Sequence, residues 1–449
     1  MRNENQYIVI KNVLACLNYA KLDDDLIKYV EILLDKVENE QILIDIVYKN
    51  SIHVLVYLRL KKYFFKTYQS ISNIHNLQFL VRKYQKRYLI QNDYLKNFIN
   101  YAYQENIKIV LLKGFCFSQC LYDEMYYKKM NDIDILVPEK DIIAVKNILN
   151  KLKFFCLIDD LFNEKKDSKK TYHSPPYISQ DKNCVISMHW GLSHKINDTK
   201  RLQEIWNRIA LIPSTINAYR MSWEDNLLHL CIHQPYYKIG FREFADIFNV
   251  IQFAEPKIDE KLFLLQVNDW HAQEAVYRVF LLVKRLFSQL EENIFVNSVI
   301  SYTKPYCSKE VLKDTEKRLK SIRFLLNSRS TYISKIEKSF LLFRISKSYK
   351  YKFKIWLRMW YLLFCVPTTE VKIFSCYLGN NFITLTFCRI KAPFYILKSL
   401  CKDHGRKTVL FFTIGNLFWI IANTIKLNFI KKTKEQYDLS LFRLYKELE

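Results

Sequence analysis

The apolar positions change period twice along the chain. Up to about residue 105 they recur at helical spacing, as in "LDDDLIKYVEILLDKVEN", whose acidic start suits a helix N-terminus, and in "YLIQNDYLKNFINYAYQEN". From residue 107 the period shortens. "IKIVLL" (107–112) reads as a strand ending at Lys113-Gly114, and "FCFSQCLYDEMYY" as the helix after it. "DIDILV" (132–137) is a second strand stopped by Pro138. "EKDIIAVKNILNKLKF" is an amphipathic helix with Ile142, Val145, Leu149 and Leu152 on one stripe. Residues 155 to 182 read as polar and irregular, and "CVISMHW" (184–190) as a third strand. Helices then return: "SWEDNLLHLCIHQ", with Ser222 at capping-box distance from Asp225, "FREFADIFNVIQFA", and a helical, increasingly basic stretch from about Pro256 onward.

This pattern predicts an α+β fold, a small αβαβ core with helices before and after it. The expected organisation is a helical region over 1–105, the sheet core over 106–200, a helical region packed on that core over 201–330, and a basic, aromatic, mainly helical region over 331–449.

With 449 residues, half of them hydrophobic, the chain can bury a large core, and 6 Gly and 9 Pro exclude collagen-like or linker-rich architectures. The 11 Cys form no CxxC pair; Cys116 and Cys120 share a helix face without a matching Cys or His pair, which argues against a zinc site or a disulfide framework. Free thiols in a reducing cytoplasm are expected. The formal charge of +24 favours polyanionic partners, whether nucleotides, nucleic acid or an anionic membrane surface. Nothing beyond charge supports nucleic acid, since no RRM, KH or helix-turn-helix signature is present. "VLFFTIGNLFWIIANTI" (409–425) is uncharged with basic flanks, but short for a bilayer span, and a buried helix is the expectation.

Asp132 and Asp134 carry the clearest chemistry. In a strand, positions two apart share a face, so both carboxylates point one way while Ile133, Ile135 and Val137 point into the core. Neighbouring carboxylates repel, and a divalent cation such as Mg²⁺ relieves that by taking one or two of them together with substrate phosphates. Gly114, between a strand and a helix N-terminus, leaves the backbone open to phosphate oxygens, and Lys113 adds a point charge. His229 and His233, four apart, read as packing or hydrogen-bonded residues, and Arg242 and Asp246 as an ion pair along one helix.

The run "LLKGFCFSQCLYDEMYYKKMNDIDILVPEKDIIAVKNILNKLKF" resembles the core of the nucleotidyltransferase superfamily that includes DNA polymerase β. It is closest to an uncharacterised bacterial nucleotidyltransferase family with an Arg-x-Met-Gly-Asp-x-Asp run. The likeness extends to His173 in "YHSPPY", to "MHW" (188–190), and to "LLHLCIHQPYYKIGFREFADIFNVI". It implies a small mixed sheet with flanking helices, and metal-dependent transfer of a nucleoside monophosphate from an NTP, with ATP the expected donor, to an acceptor the sequence does not name. The implied site has Asp132 and Asp134 as ligands of Mg²⁺ or Mn²⁺, Lys113, Gly114 and Lys128 at the phosphates, and His189 as a candidate base. Lys128 stands where the family has arginine, and Asn131 where it has glycine. Ser187 stands where an acidic residue is common, which leaves Asp159, Asp160 and Asp181 as candidate third carboxylates. The alternative is a catalytically weakened nucleotide-binding or regulatory protein on the same fold, docking on a membrane surface through its basic C-terminus.

Overall fold

The computed structural model describes residues 2–319 except 72–73, 157–171, 193–198, 214, 234–240 and 255–256, together with Ile322, Leu326 and Tyr361. The chain divides into two compact units, one of Met1–Pro235, Ile239–Ser328 and Leu448–Glu449, the other of Tyr236–Lys238 and Arg329–Glu447. The expectations for 331–449, the 409–425 segment included, lie outside the described residues apart from Tyr361. None of the described helices is long and apolar enough to cross a membrane.

Six helices open the first unit: α1 (Arg2–Leu17), α2 (Asp24–Leu34), α3 (Glu40–Lys49), α4 (His53–Tyr63), α5 (Phe65–Ser70) and α6 (Ile74–Gln104). Asp23 caps α2 by accepting the Leu26 N–H at 2.8 Å, as the acidic start of that segment predicts. The 31-residue α6 buries Leu77, Val81, Tyr88, Gln91, Leu95 and Phe98 along one side and leads into the sheet.

The sheet has seven strands in the order β3-β4-β5-β2-β1-β7-β6. The three predicted strands are its centre: β1 (Ile109–Leu111), β2 (Ile133–Leu136) and β5 (Val185–His189). β2 lies antiparallel to β1 and parallel to β5. Four further strands were not legible in the sequence. β3 (Phe154–Cys156) and β4 (Tyr177–Ser179) flank the stretch read as irregular. β6 (Ala210–Leu211) and β7 (Ala218–Arg220) lie beyond residue 200, and β7 runs parallel to β1. Each has only two or three residues, too few to show alternation.

α7 (Lys113–Cys120) follows β1 and is shorter than its apolar pattern predicts. Residues 121–132 leave the helix because Tyr122, Tyr127 and Lys128 bond to Asp246, far along the chain. α8 (Ile142–Lys151) buries Val145, Ile148 and Leu149, and the other stripe residues, Ile142 and Leu152, are partly buried against the core. Then come α9 (Thr199–Asn207), α10 (Trp223–His233), α11 (Phe241–Ala254), α12 (Glu260–Asp269), α13 (Gln273–Leu286), α14 (Ile294–Thr303) and α15 (Lys309–Leu319). The predicted cap is present: the Asp225 N–H donates to Ser222 Oγ at 3.1 Å. α11 coincides with its predicted segment, and ten of its side chains are buried.

Candidate active site

Asp132 stands at the mouth of β2 and Asp134 inside it. The parallel register sets Ser187 opposite Asp134 and His189 opposite Leu136, so both polar groups share the aspartates' face. Ile133, Ile135 and Val137 are fully buried on the other face, as the alternation predicts.

Four contacts tie this face together. Lys113 Nζ lies 2.9 Å from Asp134 Oδ2, and His189 Nε2 lies 3.0 Å from Asp134 Oδ1. Ser187 Oγ donates to Asp132 Oδ2 at 3.2 Å. The Leu112 N–H, on the edge of β1, donates to the Asp134 carbonyl at 3.0 Å and fixes Lys113 beside the pair. Lys113 itself has φ of 51°, the left-handed region that a residue with a side chain rarely occupies. That turn brings its ammonium back toward β2 while its backbone opens α7. No side chain caps α7, so its first N–H groups have no capping acceptor.

The two carboxyls titrate oppositely. Burial, then the neighbouring Asp134, raises Asp132 to about 6. Burial also presses Asp134 upward, but Lys113 and His189 outweigh it and hold that carboxyl well below the usual range. Asp132 is therefore the carboxyl lacking a cation, and among the described residues its Oδ1 has no protein partner.

A model of the family described as "Uncharacterised nucleotidyltransferase" matches residues 37–288, more than half of the chain. The chain belongs to this nucleotidyltransferase family. Searches of curated proteins and of solved structures find no match.

The rest of the sequence-predicted set distributes unevenly around the carboxylates of this nucleotidyltransferase. Gly114 lies in the first turn of α7, and a Cβ there would meet Lys128 Cε at 3.2 Å and Met130 Sδ at 3.6 Å. The missing side chain thus makes room for the Lys128 stem. The Lys128 ammonium is turned to Asp246, whose other oxygen accepts from Tyr122 at 3.0 Å and Tyr127 at 3.1 Å. The expected ion pair along α11 is corrected by the same contacts. Asp246 is taken by Lys128 and the two tyrosines, while Arg242 pairs with Glu243 at 3.3 Å. Helical spacing is a poor guide here because Asp246 is itself buried and is held by partners on another element.

His173 forms an isolated bridge to His189, and their rings lie 5.3 Å apart. It therefore borders the site. His229 on α10, expected as a packing or hydrogen-bonded residue, is buried and feels the charges of the site. Burial, then Lys113, His233 and His189, hold its imidazole well below the ordinary range. Arg87 and Gln91 of α6 donate to the Asn131 carbonyl at 2.9 and 3.4 Å, bracing the residue before Asp132. Helical periodicity marked α6 only as an amphipathic helix and gave no sign of this contact.

Of the three candidate third carboxylates, Asp159 and Asp160 lie outside the described residues. Asp181 bonds within its own turn, to Ser179 Oγ at 2.5 Å and Asn183 Nδ2 at 2.9 Å. Among the described residues no group of three or more His, Cys, Asp or Glu side chains is arranged to hold a metal. The hard-oxygen set of Asp132, Asp134 and Ser187, with Asp132 Oδ1 unpartnered there, fits Mg²⁺ arriving with a triphosphate better than a metal held by protein ligands alone.

Proposed function

We propose that this protein transfers a nucleoside monophosphate from an NTP, ATP being the first candidate, to an acceptor hydroxyl. The observation that carries the reading is the half-buried Asp132–Asp134 pair, with Lys113 beside Asp134 at the start of an uncapped helix.

Asp132 and Asp134 would hold Mg²⁺ or Mn²⁺, which when bound supplies charge neutralisation on the triphosphate. Lys113 provides a point charge for the phosphates, and the first N–H groups of α7, at Gly114 and beyond, offer backbone donors. Lys128 acts beside them from its seat over Gly114, bracing the turn through Asp246. Asp134 orients the His189 ring through Nε2, which leaves Nδ1 to take the acceptor's proton. Partial burial of the carboxylates strengthens the charge interactions at the site.

Calorimetric titration of ATP with Mg²⁺ into wild type and into Asp132→Ala/Asp134→Ala tests this reading. Metal-dependent binding that the double variant loses is the expected result. No binding of any NTP by the folded wild type refutes it. A second reading is favoured by Ser187, whose hydroxyl occupies Asp132 where an acidic side chain would otherwise stand. On that reading the protein binds nucleotide but turns it over slowly, and Ser187→Asp raises turnover; an unchanged or lower rate rejects it.

A further inference from the structure

A second cleft of about 400 Å³ lies between α6, β1 and α7. Leu95, Ile99 and Leu111 form its apolar floor, and Met125 and Ile216, about half exposed, form its lips. Leu111 pairs directly with Ile135, so it faces away from Asp132 and Asp134. The cleft is therefore on the opposite side of the sheet from the carboxylates.

Two amides line it. Gln119 Nε2 donates to Tyr88 Oη at 3.0 Å and to Asn92 Oδ1 at 3.5 Å. These bonds decide which end of each amide is spare. Among the described residues, Asn92 Nδ2, a donor, and Gln119 Oε1, an acceptor, have no protein partner. Asn92 is only 8% exposed, and the little surface it keeps is on this cleft. A spare donor and a spare acceptor at the cleft are open to a ligand edge of matching pattern.

We propose that this cleft binds a nucleobase-type heterocycle through an adjacent donor and acceptor on its edge. The exocyclic amino group of an adenine-like ring would donate to Gln119 Oε1. The neighbouring ring nitrogen would accept from Asn92 Nδ2, the pairing that Asn and Gln amides make with adenine edges elsewhere. The aliphatic lining suits the faces of a ring, and the volume falls in the ordinary range for small-molecule sites. The site communicates with the carboxylates through one short element. α7 carries Gln119 near its end and Lys113 at its start, so an occupant at one end bears on the ammonium held to Asp134 at the other. The assignment stands on the cleft alone and does not need the transfer reaction.

The test is titration of adenosine, without metal and with EDTA, into the full chain by ligand-observed NMR. Purine riboside, which lacks the exocyclic amino group, is the comparison ligand. Ile216→Trp fills the cleft from an exposed lip, and Asp132→Asn alters the other site. Expected is saturable adenosine binding, about ten-fold weaker binding of purine riboside, loss with Ile216→Trp and retention with Asp132→Asn. The proposal is overturned if folded wild type does not bind adenosine, if Ile216→Trp leaves binding intact, if purine riboside binds equally well, or if Asp132→Asn abolishes binding.

Discussion

Asp132 and Asp134 are two positions apart and have opposite effects on stability. Asp132 titrates near 6 in the folded protein, above the range of an unfolded carboxyl. Its ionisation is therefore harmless below about pH 4 and destabilises the fold progressively as pH rises through 6. Asp132→Asn should stabilise the fold at pH 7.5 by on the order of 2 kcal/mol and raise the melting temperature, and the gain should vanish below about pH 4. Asp134 is depressed, so the stability it confers is present above the unfolded range and is lost only in strong acid. Asp134→Asn takes the anionic partner from Lys113 and His189 and should lower the melting temperature at pH 7.5. Thermal melts of both variants across pH check the pair; shifts of the same sign at pH 7.5 contradict the assignment. Gly114→Ala pushes a methyl against a Lys128 stem that Asp246 already holds, and is expected to destabilise by about 1–3 kcal/mol in urea unfolding.

At the scale of elements, the tie between the 121–130 loop and α11 organises the ground beneath the site. Asp246 gathers Lys128, Tyr122 and Tyr127, and Asn249 one turn later donates to Tyr122 Oη at 2.9 Å and to the Asn18 carbonyl at 2.7 Å. Burial lowers the Lys128 pKa even though Asp246 supports its charge, so the lysine depends on its partner. Asp246→Ala should cost about 3–5 kcal/mol in urea unfolding, because it strands a buried ammonium. Lys128→Met with Asp246→Leu should lie closer to wild type than Asp246→Ala does, since neither charge is then left alone. A double variant as unstable as the single one would mean that the tyrosine contacts, not the ion pair, hold the loop. This tie also marks the limit of what periodicity reveals. β1, β2 and β5 were legible because each buries one continuous apolar face, and α8 and α11 because their stripes are long. The shared face of Asp132 and Asp134 followed from the same alternation. Lys113's approach to Asp134 depends on a left-handed turn, and Lys128's on a partner 118 positions away; neither leaves a local signature. β3, β4, β6 and β7 are too short to show a period and form by pairing outward from the edges of β5 and β1.

At the scale of the molecule, charge and family likeness fall in different places. The family match ends at residue 288, while residues 329–449 hold 22 Lys and Arg against 7 Asp and Glu. That stretch therefore carries most of the formal charge of +24, and it includes the aromatic-rich, uncharged run 409–425. A basic segment beside apolar and aromatic residues has the composition of one that settles on anionic lipid, where each Lys or Arg near the surface contributes about 1 kcal/mol and salt screens the attraction. The full chain is expected to co-sediment with phosphatidylserine-containing vesicles at low ionic strength and not with purely zwitterionic ones. Binding that rests on charge alone should fall steeply between about 0.1 and 0.5 M salt, where the Debye length shrinks below the spacing of the charges. Binding that survives high salt would instead mean that 409–425 enters the apolar layer. Failure to bind anionic vesicles at low salt would remove the membrane from the list of partners and leave the charge to a nucleotide-bearing or other polyanionic acceptor.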